Sequence, residues 1–242
     1  MSELDKIEEL EKEIEALKCT KDSIIPSYSY SKIRFSDLKK VVTLKRLYDN
    51  DIFDKWFNNN IDISQSDKEF LSNLISKFSF LIESYKEEDL KIKFISPILN
   101  RVDFLSKEKE IREYYNEKMI YKSEKFIFNG ETDFMIAKGL EESEKPYFFI
   151  QEFKKSIKND DPRPQLLAEL ISAIELNGNL SIKGAYIVGA IWNFVILEKV
   201  DKESYTYTIS HNFDSTKIDE LEDIYKNLIF IKNEILGENS EN

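Results

Sequence analysis

The strongest constraint on the fold comes from the apolar run Tyr-Phe-Phe-Ile at residues 147–150. A strand that is apolar on both faces belongs in the interior of a sheet, where both of its faces are covered. Glu152 and Lys154 close this run, and Asp133 lies in a second apolar stretch between Thr132 and Phe134. Charged groups are costly to bury unless they are paired or hold a metal. The sequence therefore predicts a central strand with charged residues at its end that have a specific purpose.

Length and composition place the chain among ordinary α/β proteins. The 242 residues suffice for one large domain, or for a medium domain with an appendage, and 41% are hydrophobic. Glycine and proline are scarce, at six and five residues, which disfavours a turn-rich all-β fold. The single cysteine, Cys19, cannot form an internal disulfide, which favours a reducing compartment. The sequence has no apolar run of about 18 residues and no secretory signal, so we predict a cytoplasmic protein without membrane association.

The net charge of −11 argues at first against binding to nucleic acid, but its distribution weakens that argument. Residues 1–20 contain seven acidic residues and three lysines, and residues 214–242 contain eight acidic residues and three lysines. The rest of the chain is nearly neutral. A basic groove remains compatible with this composition, because binding depends on the local field rather than on total charge.

The first hundred residues are predicted to be mostly helical. Residues 2–18 form an amphipathic pattern suited to a short coiled coil, so residues 1–20 are either a dimerisation helix or a helix packed on its own domain. Ser36 or Asp37 is expected to cap a helix that continues to Leu47, and Asp67 is expected to open another. The helical pattern continues through residues 85–105, and Pro97 marks a kink or a new turn there. Residues 21–80 are thus predicted as a helical N-terminal region.

The pattern changes to strands after about residue 115. Two strands are predicted around Asn129-Gly130, which is a strong hairpin signal, and residues 147–155 form the third. A helix follows, with Asp161 as its cap and Gly178 at its end. Two further strands and an amphipathic helix starting near residue 218 complete the order, and residues 237–242 are predicted as a flexible tail. We therefore predict the α/β (α+β) class, with a mixed β-sheet flanked by helices.

The three charged residues can assemble a metal site. Glu152 and Lys154 are two apart on one strand and share a face, while Phe153 points the other way. Asp133 is expected to begin the neighbouring strand. Adjacent strands lie about 4.8 Å apart, so the carboxylate of Asp133 can reach that of Glu152. Two such carboxylates repel unless a cation lies between them, and Mg²⁺ or Mn²⁺ suits these hard oxygen ligands, with the Phe153 carbonyl as a further ligand. Lys154 would orient an activated water or stabilise the transition state of phosphodiester hydrolysis.

Asp133, then Glu152-x-Lys154 on consecutive strands between two helices, resembles the PD-(D/E)xK nuclease superfamily. The stretch "EEDLKIKFISPIL" is similar to the nuclease domain of type I restriction enzyme motor subunits, and the resemblance covers roughly residues 80–212. It implies a restriction-endonuclease-like fold over residues 81–236 and a metal-dependent nuclease, most simply a DNA endonuclease. It also implies supporting roles for Glu87, ahead of the first core strands, and for Gln165 in the helix after the lysine strand. Thr132 stands where many members have proline.

Basic residues that follow the site are candidate phosphate contacts, namely Lys155, Lys158 and Arg163. The expected partners are nucleic acid and a second copy of the chain, paired through the N-terminal helix so that two sites cut two strands. The alternative is a catalytically inactive subunit that keeps the nuclease fold for binding or assembly.

Overall fold

The computed structural model describes residues 25–49, 51–155 and 161–237. The strands are β1 (Ser27–Ser29), β2 (Thr43–Leu47), β3 (Ile111–Lys122), β4 (Ile127–Lys138), β5 (Glu144–Lys154), β6 (Ser181–Val188), β7 (Ile191–Asp201), β8 (Ser204–Ile209) and β9 (Phe213–Asp214). The helices are α1 (Phe35–Val41), α2 (Asp54–Phe57), α3 (Gln65–Phe78), α4 (Glu87–Leu90), α5 (Ser96–Val102), α6 (Pro162–Asn177) and α7 (Ile218–Ile235). A π-helical segment, Lys91–Ile95, joins α4 to α5.

All of these strands belong to one mixed sheet. Its order is β1-β4-β5-β6-β7-β8-β2, with β3 also paired to β4 and β9 to β7. β5 is antiparallel to β4 and parallel to β6, and it lies in the interior of the sheet. The predicted mixed sheet flanked by helices is therefore confirmed, and so is the interior position of the strand that contains the apolar run, although this strand begins earlier, at Glu144.

The sheet is curled around α6. In a flat sheet β4 and β8 would lie roughly 19 Å apart, at about 4.8 Å per strand. Instead Lys125, in the turn between β3 and β4, forms a 2.6 Å ion pair with Glu203, in the turn between β7 and β8. Most side chains of α6 are buried, including those on the side away from β5. A helix that is apolar all round is an interior helix, and α6 occupies that position.

Two apolar clusters lie on the two faces of the sheet. Phe149 and Phe153 belong to the cluster that packs against α3, α5 and α7. Ile150 belongs to the cluster that surrounds α6 and also receives residues of α1. Consecutive residues of β5 thus enter different clusters, which explains why this strand is apolar on both faces.

The N-terminal part of the chain corrects one prediction. The helix expected to run to Leu47 ends at Val41, and residues 43–47 form β2, paired in parallel with β8. Ser36 and Asp37 lie inside α1, and Asp37 instead accepts a hydrogen bond from the backbone N–H of Arg34. The apolar residues of 38–47 are compatible with a helix or with a strand. Residues 43–47 form a strand because they pair with the edge of β8 that β7 leaves open.

The turn predicted at Asn129-Gly130 was also wrong. β3 and β4 are joined at residues 123–126, where the N–H of Ser123 donates to the Phe126 carbonyl at 2.9 Å. Asn129 and Gly130 lie inside β4, and Asn129 pairs with Ser29 of β1. Gly130 has a φ of 147°, and a Cβ there would lie 2.9 Å from the Tyr30 ring. Glycine is needed here for close packing and backbone conformation rather than for a reverse turn.

The second half of the chain agrees better with the predicted elements. Asp161 caps α6 by accepting from the N–H of Arg163, and Gly178 ends the helix with a φ of 71°. The region between α6 and α7 contains β6, β7 and β8 and the short β9, where two strands were expected.

Two predicted helix starts lie in the first half of the chain. Asp67 lies within the first turn of α3, whose cap is Ser64. Pro97 lies in the first turn of α5, directly after the π-helical segment.

Some predictions fall on residues that the structure does not describe. These are the amphipathic helix of residues 1–20 with Cys19, Lys158, and residues 238–242 of the predicted tail. Among the described residues, no helix has the length and apolar character that a membrane span requires.

Candidate functional site

Asp133 and Glu152 face each other across the β4–β5 pair. Phe134 pairs with Gln151 in this antiparallel ladder, so Asp133 comes opposite Glu152. The backbone N–H of Asp133 donates to Glu152 Oε1 at 3.3 Å, and the N–H of Phe153 donates to Asp133 Oδ2 at 2.9 Å. The side chains of Asp133 and Glu152 therefore lie next to each other on adjacent strands. Asp133 lies in the interior of β4, however, and not at its start as the sequence suggested.

Lys154 joins this pair from the same face of β5. Its Nζ lies 4.0 Å from Glu152 Oε2 and 3.7 Å from Glu87 Oε1. Phe153 points into the opposite apolar cluster, as the strand period predicts. Glu87 opens α4, so the chain segment before β3 reaches the end of β5. The structure therefore gathers Asp133, Glu152, Lys154 and Glu87 at one place.

Gln165 reaches the same place through α6. It is buried, and its Nε2 donates to Glu169 Oε1 at 3.2 Å, one helical turn further on. Glu169 is fully buried beside Glu152, and its second carboxyl oxygen makes no hydrogen bond within the described part of the chain. Glu152 Oε2 is likewise buried and makes no hydrogen bond within the described part of the chain. A buried oxygen without a partner is costly, so these two carboxyl groups require a proton between them or a bound cation.

The two buried glutamates favour their protonated forms. Burial raises the pKa of Glu152 well above its ordinary value, and the negative charges of Glu169 and Asp133 raise it further. Burial likewise raises the pKa of Glu169 to about 8. Like charges in a low-dielectric site cannot all be ionised without a compensating cation. In the absence of such a cation, the pair retains a proton at neutral pH.

Lys91 is a second ammonium at the site that the sequence analysis did not identify. It is buried in the π-helical segment, and its Nζ lies 3.5 Å from Asp133 Oδ1 and 2.7 Å from Asn116 Oδ1. Asn116 has a φ of 53° in β3, which turns its side chain toward Lys91. Both residues occupy irregular backbone, and π-helical turns inside helices are frequent at functional sites. Lys91 gives Asp133 a counter-charge.

A cavity of about 490 Å³ lies beside these groups. Its walls include Asp133, Lys154 and Gln165, together with Ser29 and Ser31 from the N-terminal segment. Asn116, Lys118, Asn129 and Glu131 supply further polar groups to the same walls. The cavity is within the size range of ligand sites, and its lining offers hydrogen-bond donors and acceptors.

The donor set fits a hard divalent cation. Asp133 and Glu152 offer two adjacent carboxyl groups, and Glu152 has an oxygen without a hydrogen-bond partner among the described residues. Mg²⁺ is usually held by one or two carboxylates and completes its shell with water and substrate oxygens. Among the described residues, no ready group of three or more His, Cys, Asp and Glu side chains suited to a metal is present. Asp133, Glu152 and the Phe153 carbonyl remain the predicted ligands of such a cation.

The predicted phosphate contacts are more scattered. Lys155 is exposed and lines a separate cavity on the far side of β5, with Phe80 and Ile191. The guanidinium of Arg163 is bound to the helix cap, with Nε 2.8 Å from Asp161 Oδ1 and Nη2 2.7 Å from Oδ2. Lys158 lies outside the described residues. The structure thus does not bring Lys155 and Arg163 together.

Glu169 had a sequence signal that was overlooked. It is the only charged residue between Leu166 and Ile174, in a run that is otherwise almost wholly apolar. A lone acid in an apolar helix points to a buried charge with a purpose. Lys91 had no such signal, because charged residues surround it in the segment 86–93.

A scan against models of protein families finds no match to this chain, and neither does a search of characterised proteins.

Proposed function

We propose that the protein is a metal-dependent nuclease that hydrolyses phosphodiester bonds, with DNA as the first substrate to test. The observation that carries this proposal is the contact between Asp133 and Glu152, with Lys154 4.0 Å from Glu152, beside a cavity that Asp133 and Lys154 line. Two carboxyl groups and one ammonium are the side chains that this hydrolysis needs. The restriction-endonuclease-like fold belongs to the same proposal, and the order of strands and helices around β5 supports it.

Each residue of the site has its own role in the proposed hydrolysis. Asp133 and Glu152 hold Mg²⁺ or Mn²⁺, which when bound lowers the pKa of water and offsets charge on the phosphate. The Lys154 ammonium orients the attacking water and stabilises the charge that builds up on the phosphoryl oxygens. Glu87 positions this ammonium from 3.7 Å away. Gln165 keeps Glu169 in place next to Glu152.

The test is cleavage of plasmid DNA and of labelled single-stranded DNA and RNA with Mg²⁺ or Mn²⁺. We expect Asp133→Asn and Lys154→Met each to lower the rate at least roughly a hundredfold, because each removes a charge aimed at the reacting phosphate. Lys155→Met is the matched control, since it neutralises the adjacent lysine outside the cavity. Cleavage that survives both site substitutions would refute the assignment.

The second candidate is a binding or assembly subunit without catalysis. One observation favours it: Lys91 already lies 3.5 Å from Asp133, so this carboxylate has a counter-charge without a metal. In that case calorimetry detects no Mn²⁺ binding to the wild type, and no substrate is cleaved. Mn²⁺ binding that Asp133→Asn abolishes would decide against this candidate.

A further inference from the structure

The most basic stretch of this acidic protein lies next to the candidate site. Residues 26–48, here called the basic segment, contain six basic residues and a single acidic one, in a chain of net charge −11. The basic residues are Lys32, Arg34, Lys39, Lys40, Lys45 and Arg46, and the acidic one is Asp37. Such a local concentration of positive charge produces a local field that total charge does not reveal.

The fold directs these charges outward. The basic segment comprises β1, a 3-10 turn (Tyr30–Lys32), α1 and β2. Its apolar residues Tyr30, Ile33, Leu38 and Val42 are buried against the cluster around α6. Tyr30 fixes it further, since its hydroxyl donates to Ser172 Oγ of α6 at 2.9 Å. The anchors point inward, and all of the basic side chains except the half-buried Arg46 are exposed.

More basic residues extend the same surface. Lys39 and Lys40 line a cavity of about 430 Å³ together with Lys125 and Lys202 from two distant turns. Glu203 is the acidic residue in its wall, and it is paired with Lys125. The curl of the sheet creates this cluster, because it brings the β3–β4 and β7–β8 turns together beside α1.

The basic segment also reaches the candidate site and offers an aromatic ring. Ser29 and Ser31 line the cavity that contains Asp133 and Lys154. At the other end of the segment, Tyr48 is 79% exposed, and the Arg46 guanidinium lies 4.9 Å from its ring centre. Exposed aromatic rings and arginines are the side chains on which nucleic-acid bases stack. Lysine clusters bind the phosphate backbone without reading sequence.

We infer that the basic segment, with Lys125 and Lys202, is the surface that binds the phosphodiester backbone of the substrate and leads it to the cavity at Asp133. This inference rests on the proposed function for the identity of the ligand. It assigns a binding role to residues 26–48, within the N-terminal region 21–80. It also replaces Lys155 and Arg163 as the predicted phosphate contacts.

The experiment measures binding without cleavage. Fluorescence anisotropy with labelled duplex and single-stranded oligonucleotides of about 20 nucleotides is recorded in EDTA, from 50 to 200 mM KCl. The test variant is the triple substitution Lys32→Gln, Lys39→Gln and Lys45→Gln. The control is Lys68→Gln, Lys77→Gln and Lys107→Gln, which removes three exposed lysines outside the basic segment. Two of them belong to α3, which packs on the other face of the sheet. Circular dichroism and melting temperature verify that both variants fold.

We expect the test variant to bind roughly tenfold or more weakly at 100 mM KCl. Its plot of log affinity against log salt should be shallower by about 2.7 for duplex and about 2 for single strands, from three lost phosphate contacts. The control should retain the wild-type affinity and slope. The oligonucleotide with the larger loss identifies the form of nucleic acid that this surface takes.

Three outcomes overturn the inference. Equal losses in the test and control variants mean that only net charge matters. Wild-type affinity in the test variant rejects this surface, while cleavage that depends on Asp133 leaves the proposed activity intact. A wild type that binds neither oligonucleotide, but binds vesicles containing anionic phospholipid, assigns the surface to a membrane instead.

Discussion

At the scale of single residues, Glu169 makes the stability of the folded protein depend on pH. Its pKa is raised from 4.5 to about 8 by burial, so the folded state binds this proton more tightly than the unfolded state. Its stabilising effect is complete below pH 4.5 and is lost as the pH rises toward 8. Without metal, the free energy of unfolding should therefore fall between pH 5 and 8, by at most about 1.4 kcal/mol per pH unit per proton.

Urea denaturation in EDTA at several pH values measures this slope. Glu169→Gln should flatten it, because glutamine is neutral at every pH and keeps the shape of the side chain. Glu124→Gln, on the exposed turn between β3 and β4, is the control and should retain the wild-type slope. An unchanged slope in Glu169→Gln would show that this glutamate is ionised across the range.

Lys91 provides a second prediction at this scale. Its ammonium lies where it competes with a divalent cation for Asp133, at 3.5 Å from Oδ1. Lys91→Met should therefore strengthen Mn²⁺ binding roughly tenfold in calorimetry, because the carboxylate loses its internal counter-charge. Lys93→Met, two residues further and paired with Asp89, should leave the affinity unchanged. Weaker Mn²⁺ binding in Lys91→Met would instead mean that this lysine orients Asp133 for the metal.

At the scale of elements, the contact of β6 with α6 and β5 depends on Gly184. A Cβ at this position would lie 2.8 Å from the Ile150 carbonyl oxygen and 2.9 Å from Leu170 Cδ2. Backbone atoms cannot move aside easily, so Gly184→Ala should destabilise the protein by about 1–3 kcal/mol. Gly178→Ala is the comparison, because a Cβ at this position would have no atom within 4 Å. Only the backbone strain at a φ of 71° would then lower the stability of this variant.

The expected loss in Gly178→Ala is about 1 kcal/mol, from the left-handed backbone alone. Chemical denaturation of the two variants measures the difference. A Gly184→Ala protein as stable as the wild type would mean that β6 shifts away from α6 without cost. Because Gln165 and Glu169 belong to α6, we also expect Gly184→Ala to weaken Mn²⁺ binding.

The secondary-structure elements differ in how well the sequence predicts them. Local patterns predicted β5 and α6 well, because an apolar run and a cap-to-glycine helix are determined by neighbouring residues. The same reasoning failed for β2 and for Asn129-Gly130, where the decisive partners are β8 and Tyr30, far away in the sequence. In the site, Asp133, Glu152 and Lys154 followed from strand spacing. Lys91 and Asn116 could not, since irregular backbone positions both of them.

At the scale of the whole molecule, the basic segment supplies two strands of the curled sheet. β1 pairs with β4, and β2 pairs with β8. A chain that starts at residue 51 lacks both strands and also Tyr30, and it exposes the apolar cluster around α6. We expect this shortened chain to lose cooperative thermal unfolding by circular dichroism, because unpaired edges and an open core are unstable. Cooperative melting within a few degrees of the full chain would contradict this.

The pairing of β2 with β8 has a consequence for how the protein is made. About 160 residues separate the two strands along the chain, so the ribosome releases β2 long before its partner exists. Contacts between such distant segments form slowly, and an unpaired strand is open to wrong associations in the meantime. The six lysines and arginines of the basic segment would then keep nascent chains apart by charge repulsion until β8 has been made.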